Sequence, residues 1–274
     1  MADTNEDTYK QRFTGASNVY NFSAGGREGD ELERLRRLEE ITDPATIRRL
    51  EEIGVGAGWS CLEVAAGAGS IAAWLGDRVG PGGRVLAVDI DTRFLGDLGA
   101  PVEVRELNLL TDDLESGGFD LVHGRAILMH LHDHEVALQR MAAAVKPGGW
   151  LLIEEKDLGS QFAFAGHAEA DWVNENLRSR ARRAGEAGLD VHFGGRVRGL
   201  VEGLGFEAVV ADGDSHIWRG TEVGARFAEL TTSAAHERGA MPDEVHSRLV
   251  RLFRDPSFTF TDGVQYGAWG RRPR

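Results

Sequence analysis

The stretch Glu63-Val64-Ala65-Ala66-Gly67-Ala68-Gly69-Ser70 decides the fold. A short apolar run, Cys61 to Ala65, reads as a buried strand. It enters a glycine-rich turn, and Ser70 to Val79 follows as a helix with Ile71, Trp74 and Leu75 on one face. Glycine has no Cβ, so a turn of this kind lets backbone approach a ligand closely. Asp89 ends the next apolar run, where an acidic side chain can accept hydrogen bonds from both hydroxyls of a ribose. Gly67 to Ala72 also fits the GxGxx(G/A) pattern of dinucleotide sites, a weak signal by itself. Glu63 weighs against that ligand: a carboxylate near the turn repels a pyrophosphate, whereas an ammonium or sulfonium tolerates it.

Outward from this stretch, strands and helices alternate. Arg84 to Asp89, Val102 to Leu107, Phe119 to His123 and Trp150 to Glu154 read as further strands. Asp133 caps a helix carrying Ala137, Met141 and Val145, and Lys146-Pro147-Gly148-Gly149 ends it. Upstream, Asp30 and Glu33 resemble a capping box before Leu32, Leu35, Leu38 and Ile41. Asp43-Pro44 then predicts a second helix, ended by Gly54. Beyond Glu155 an inserted helix, centred on Trp172 and Leu177, occupies about 157–190; a second insertion spans about 221–254. Helix 194–204 and strand 206–211 lie between them, and Phe258 to Gly270 reads as the last strand. Repeated βαβ units of this kind predict an α/β protein with a parallel sheet covered on both faces.

Composition narrows the function. The chain has 274 residues, a net charge of −13 and 36 glycines, ordinary for a globular protein except for the glycine excess. An acidic chain lacks the basic face of a sequence-independent nucleic-acid binder and the polybasic patch of a membrane anchor. The single cysteine, Cys61, excludes an intramolecular disulfide and a cysteine-rich zinc site. Met1 to Lys10 is polar, unlike a signal peptide, and no apolar run is long enough to span a membrane. The expectation is a cytoplasmic protein, monomer or homodimer, with a small-molecule substrate and no nucleic-acid or membrane partner.

The ordered set of Glu63, Gly67 with Gly69, Asp89, Asn108 and Pro147-Gly148-Gly149 resembles the class I S-adenosylmethionine-dependent methyltransferases, particularly bacterial small-molecule enzymes of the natural-product type. The likeness runs from about Gly54 to Glu155 and resumes in the last strand. It implies a doubly wound, mostly parallel, seven-stranded Rossmann-like sheet with helices on both faces. Residues 1–53 would form an N-terminal helical lid, and 54–274 the α/β domain, with cap insertions after strands five and six. The resemblance also implies S-adenosyl-L-methionine as cofactor. Glu63 would hold the turn or reach the methionine ammonium through water, and Ala65, Gly67 and Gly69 would pass the methionine and ribose. Asp89 would bind the ribose, Ile90 would pack on adenine, Asn108 would meet the adenine amine, and Leu109 would lie beside the ring. His123, Gly124 and Arg125 would lie near the sulfonium. One departure is visible: Ala65 stands where the family usually has its first glycine.

Methyl transfer mainly needs alignment and exclusion of water, so no catalytic triad is expected. His123 is the best-placed candidate base. His216 beside Trp218 would reach the same pocket, and Tyr20 belongs to a segment that would close over the ligand. One of Glu154 and Glu155 is a candidate to orient substrate. His130-Leu131-His132-Asp133-His134 invites a metal reading, but without a distant ligand set it reads as a loop and helix start, with no metal. Phe162, Phe164, Trp172, Phe193 and Phe227 suggest an aromatic cap, hence a flat or hydrophobic acceptor such as an indole, phenol or polyketide, methylated on C, N or O. Arg178, Arg180, Arg182 and Arg183 read as a solvated helix face. The alternatives are an NAD(P)-dependent oxidoreductase and a non-catalytic S-adenosylmethionine-binding protein.

Overall fold

The computed structural model describes residues 28–186 and 188–274. Seven strands form the main sheet in the order β3-β2-β1-β4-β5-β10-β7: β1 (Ser60–Val64), β2 (Arg84–Asp89), β3 (Val102–Glu106), β4 (Phe119–Arg125), β5 (Val145–Asp157), β7 (Glu207–Ser215) and β10 (Val264–Arg271). β1 to β5 pair in parallel, and β10 runs antiparallel to both β5 and β7. The order reverses direction beside β1, the switch point where α/β folds bind ligands at the carboxyl ends of the strands.

Strand alternation gives the sheet two apolar faces. Leu62, Val122 and Leu151 join one buried cluster with α3 (His134–Ala144) and α5 (Val197–Gly203). Cys61, Leu121, Leu152 and Trp269 join the other with α1 (Glu28–Ile53) and α2 (Ser70–Val79). A third cluster lies outside the main sheet. It joins α4 (Ala170–Glu186) and α7 (Asp243–Phe253) to a small sheet of β6 (Phe162–Ala163), β9 (Thr259–Thr261) and β8 (Trp218–Arg219). Helix α6 (Val223–Glu237) bridges this unit to α1, where Arg226 makes two hydrogen bonds to Glu33 at 2.9 and 2.7 Å.

Several boundaries differ from the sequence reading. The two helices expected around Asp43-Pro44 are one, α1, with Pro44 inside it. Asp43 does not cap a helix; it accepts a hydrogen bond from Arg125 at 2.9 Å. Proline removes the backbone donor that would bond the Glu40 carbonyl, but its fixed φ is helical, so the helix continues through it. Thr42 donates to the Leu38 carbonyl at 2.7 Å. Asp133 takes the N-cap position of α3 without a side-chain hydrogen bond. Lys146-Pro147-Gly148-Gly149 is not a separate turn but lies within β5, and the last strand is split into β9 and β10 at Asp262-Gly263.

The sheet face under α1 carries a row of charges. Continuing the period-two positions of Cys61, Leu121 and Leu152 gives Glu63, His123 and Glu154, and on β10 the same alternation from Trp269 gives Gly267. Arg49 of α1 lies over Gly267, where a Cβ would come within 2.4 Å of its Nε. Its guanidinium is fully buried and bonds Glu154 at 2.5 Å, Asp212 at 2.7 Å and Asp214. Removing one partner from a buried ion pair is far costlier than breaking an exposed one. Arg49→Met is therefore expected to lower unfolding stability by about 3–5 kcal/mol. Arg48→Met, at the exposed end of the same row, should cost less than about 1 kcal/mol. Urea unfolding followed by circular dichroism checks the contrast; equal effects refute it.

Candidate functional site

A cavity of about 380 Å³ opens at the carboxyl ends of β1, β2 and β4. That volume is within the range of small-molecule sites, about 300–1,000 Å³. The turn after β1 forms its floor. Gly67 has φ 61° and Gly69 has φ 95°, left-handed values that glycine adopts without strain. Ala65 has φ 58°, so the departure noted in the sequence is a backbone position suited to glycine that holds a methyl group. Asp89 ties this turn to β2: its Oδ2 accepts Gly67 N–H at 2.9 Å and its Oδ1 accepts Asp91 N–H at 3.0 Å. Burial raises the Asp89 pKa to about 6 despite these bonds, which lower it.

Of the expected cofactor residues, Glu63, Ala65, Gly67, Asp89, Ile90, Asn108 and Leu109 line this cavity. Asn108 is held by Leu110 N–H, which donates to its Oδ1 at 3.0 Å. Gly69, His123 and Gly124 do not line it. Gly69 packs against Leu95 and Leu98, and the Cβ position of Gly124 is filled by Met141.

His123 requires the largest correction. It is fully buried, and both ring nitrogens are engaged, Nδ1 with Glu63 at 2.6 Å and Nε2 with Glu154 at 3.2 Å. Burial alone would lower its pKa. The Glu63 charge and the bonds to Glu154 and Glu63 outweigh that and raise it to about 9. His123 is therefore a protonated structural bridge, not a base facing substrate. Glu154 is likewise buried without reaching the cavity: burial raises its pKa, but His123, Arg49 and Arg125 hold it below the usual carboxylate range. Glu155 is equally buried, accepts Ile127 and Leu128 N–H at 3.0 and 2.6 Å, and is raised to about 8 by burial.

The other catalytic candidates also fall elsewhere. His216 stacks on Trp218 with ring centroids 5.0 Å apart, outside the main cavity. Tyr20 lies outside the described residues. The histidine that does line the cavity is His130; burial and then Arg34 lower its pKa to about 4. Among the described residues no group of three or more His, Cys, Asp or Glu could hold a metal ion, and no helix is long and apolar enough to cross a membrane. The aromatic cap does not form. Phe193 packs in the sheet core, Trp172 lies under Arg248 at 3.9 Å, and Phe162 is exposed against Phe164; Phe227 alone of the five lines the cavity.

Sequence reasoning missed Glu39, Arg180, Thr231 and Gln265, all cavity-lining. Glu39 accepts Ser70 N–H at 3.1 Å at the N-terminus of α2. It thus occupies the place where a dinucleotide pyrophosphate would bind. Arg180 is not part of a solvated face: it follows Val173 and Leu177 at helical spacing, and those two pack into the third cluster. That spacing was the available signal.

Residues 62–153 match a family model described as a methyltransferase domain. The methyltransferase str3 of Strobilurus tenacellus, a fungal relative, is 31% identical over 155 residues, covering 56% of this chain and 55% of its own length. This chain therefore spans about half of that relative. Two solved structures share the fold. Phosphoethanolamine N-methyltransferase 2 of Haemonchus contortus, in complex with S-adenosylhomocysteine, superposes with TM-score 0.53 at 15% identity, covering 93% of this chain and 58% of that one. The YcgJ protein of Bacillus subtilis gives TM-score 0.51 at 14% identity, covering 82% and 97%. The fold is the α/β methyltransferase fold.

The His123 bridge has a testable pH signature. Its folded pKa, about 9, lies above the ordinary value of 6.5. Its stabilisation is thus complete below pH 6.5 and lost as pH rises through 9. His123→Gln should therefore destabilise the protein most just below pH 6.5, and its deficit against the wild type should shrink as pH rises to 9 in urea melts. A constant deficit contradicts a charged His123.

Proposed function

We propose that this chain is an S-adenosylmethionine-dependent methyltransferase acting on a small molecule. The supporting observation is Asp89 beside the glycine turn, at the mouth of a cavity walled by Ile90, Leu109 and Leu110. Asp89 accepts backbone bonds from Gly67 and Asp91, among others, and a carboxylate with about four lone-pair sites keeps acceptor capacity for a ribose hydroxyl. The apolar wall suits a flat base. The carboxyl groups of Glu39 and Asp89 lie at this end beside Glu63, which is already paired with His123, and those of Glu39 and Asp89 favour a ligand with a cationic centre. Glu39 at the helix N-terminus disfavours a pyrophosphate and hence the dinucleotide alternative.

When bound there, S-adenosylmethionine supplies a methyl group activated by positive sulfur. The chain's own contribution is placement and dryness. Leu35 and Leu38 of α1 and Phe227 of α6 line the cavity with apolar surface that excludes water and aligns an acceptor. His130, held neutral at pH 7 by burial and by Arg34, lines the same cavity.

Calorimetric titration with S-adenosylhomocysteine and with NAD tests the reading. Saturable S-adenosylhomocysteine binding is expected; binding of NAD alone overturns it. Asp89→Asn should weaken S-adenosylhomocysteine at least about tenfold, the size of a lost charge-assisted hydrogen bond. Because the Asp89 pKa is about 6, wild-type affinity should fall between pH 7 and pH 5, and the variant should flatten that profile.

A further inference from the structure

Charge is divided within the cavity. The end at β1 and β2 carries the carboxyl groups of Glu39, Glu63 and Asp89, and the cationic side chains lining the cavity are Arg34, Arg125, Arg238 and, on β5 and α4, Lys156 and Arg180. Lys156 is partnered by Asp262. Arg180 is not: among the described residues it has no hydrogen bond or ion pair, although it is half-buried on α4 and borders the cavity. Burial and the nearby Arg183 lower its pKa, as expected for a cation held among protein atoms without a counter-charge.

Two further groups that line the same cavity lack partners among the described residues. Thr231 Oγ1, on α6, is buried with no hydrogen bond. The amide nitrogen of Gln265, on β10, is also unpaired, and Gln265 is only 7% exposed. Both line the same cavity. A guanidinium, a hydroxyl and an amide N–H are all donors, and leaving them unpaired in a buried site is costly unless a ligand completes them. Of the acidic groups on the surrounding elements, Glu33, Glu229, Glu169 and Asp262 are engaged by Arg226, Arg254, Arg248 and Lys156 respectively.

We propose that Arg180, Thr231 and Gln265 form an oxyanion subsite at the cap end of the cavity, so that the methyl acceptor is an acidic small molecule with a carboxylate or phosphate on an apolar body. This rests on the methyltransferase reading and adds the acceptor's charge to it. Arginine suits the role because its planar donor fork matches a carboxylate or phosphate in two-point contact. The leucines between the two ends supply the apolar surface for the body of the acceptor. The subsite also orients the acceptor, since the oxyanion at the cap end directs the remainder of the molecule toward the β1–β2 end.

The test uses the full chain saturated with S-adenosylhomocysteine, titrated calorimetrically with matched pairs. These are indole-3-acetate against indole-3-acetamide, 1-naphthoate against 1-naphthamide, and phenyl phosphate against phenol. At least one anion is expected to bind about tenfold or more tightly than its neutral partner, the gain a charge-assisted hydrogen bond supplies. Arg180→Gln should erase that preference while still binding S-adenosylhomocysteine, which shows the variant is folded. Thr231→Val should weaken the anion less. A carboxylate bound more tightly than phenyl phosphate assigns the subsite to carboxylates, and the reverse to phosphates. Equal binding within every pair, no binding by any anion, or a preference that survives Arg180→Gln overturns the inference. Failure of the wild-type chain to bind S-adenosylhomocysteine instead overturns the underlying reading.

Discussion

The buried bond between Arg49 and Glu154 is the constraint on which the rest of the site depends. Both side chains are inaccessible to water, so each charge requires the other. Glu154 in turn accepts Thr46 Oγ1 at 2.5 Å and pairs with His123, which pairs with Glu63. The alternation of charge from Glu63 through His123 and Glu154 to Arg49 and the Asp212–Asp214 pair crosses the sheet from β1 to β7. Gly267 is what lets α1 sit low enough for Arg49 to complete the row. Apolar packing of Leu50 and Ile53 would hold α1 against the sheet without selecting one position along it; the ion row selects one.

That selection shapes the cavity. With Arg49 seated, the preceding turns of α1 carry Leu35, Leu38 and Glu39 over the glycine turn, and Glu39 meets the N-terminus of α2. Arg125, at the end of β4, reaches back to Thr46 at 2.8 Å and to Asp43, bridging the anchor to the cavity wall. The opposite wall is set by α4 and α6, whose own core does not touch the main sheet's clusters. The end at the glycine turn is thus built on rigid strands, and the end at Arg180 on inserted helices. This division suits a constant ligand at the first end and a chain-specific one at the second.

Much of this was legible in the sequence. Helix Ser70–Val79 and strand Arg84–Asp89 were read with their observed ends, because apolar periodicity and the glycine breaks agree there. Asp89 was placed at the cavity by its position at the end of a strand in a parallel sheet, whereas Ile90, Asn108 and Leu109 were expected there only from the family resemblance. Glu154 and His123 were misread because a charged residue at a strand end normally faces solvent or ligand. Only the fold of α1 onto the sheet shows that both are covered. The aromatic cap failed for a related reason: phenylalanine spacing reveals burial but not which core receives it, and four of the five rings serve other clusters or surfaces.

The sequence by itself determined the local geometry: an α/β alternation, a left-handed turn at Gly67 and Gly69, and an acidic residue at the end of β2. These depend on steric and periodic rules acting over a few residues. The tertiary structure alone decided that His123 bridges two carboxylates instead of facing a ligand. It alone decided that Pro44 lies inside one continuous helix and that Arg180 lines the cavity. Each of those outcomes is set by which distant charge or cavity a side chain meets, as in the 105-residue separation between Arg49 and Glu154. Electrostatic pairing across such separations leaves no period in the chain to be read.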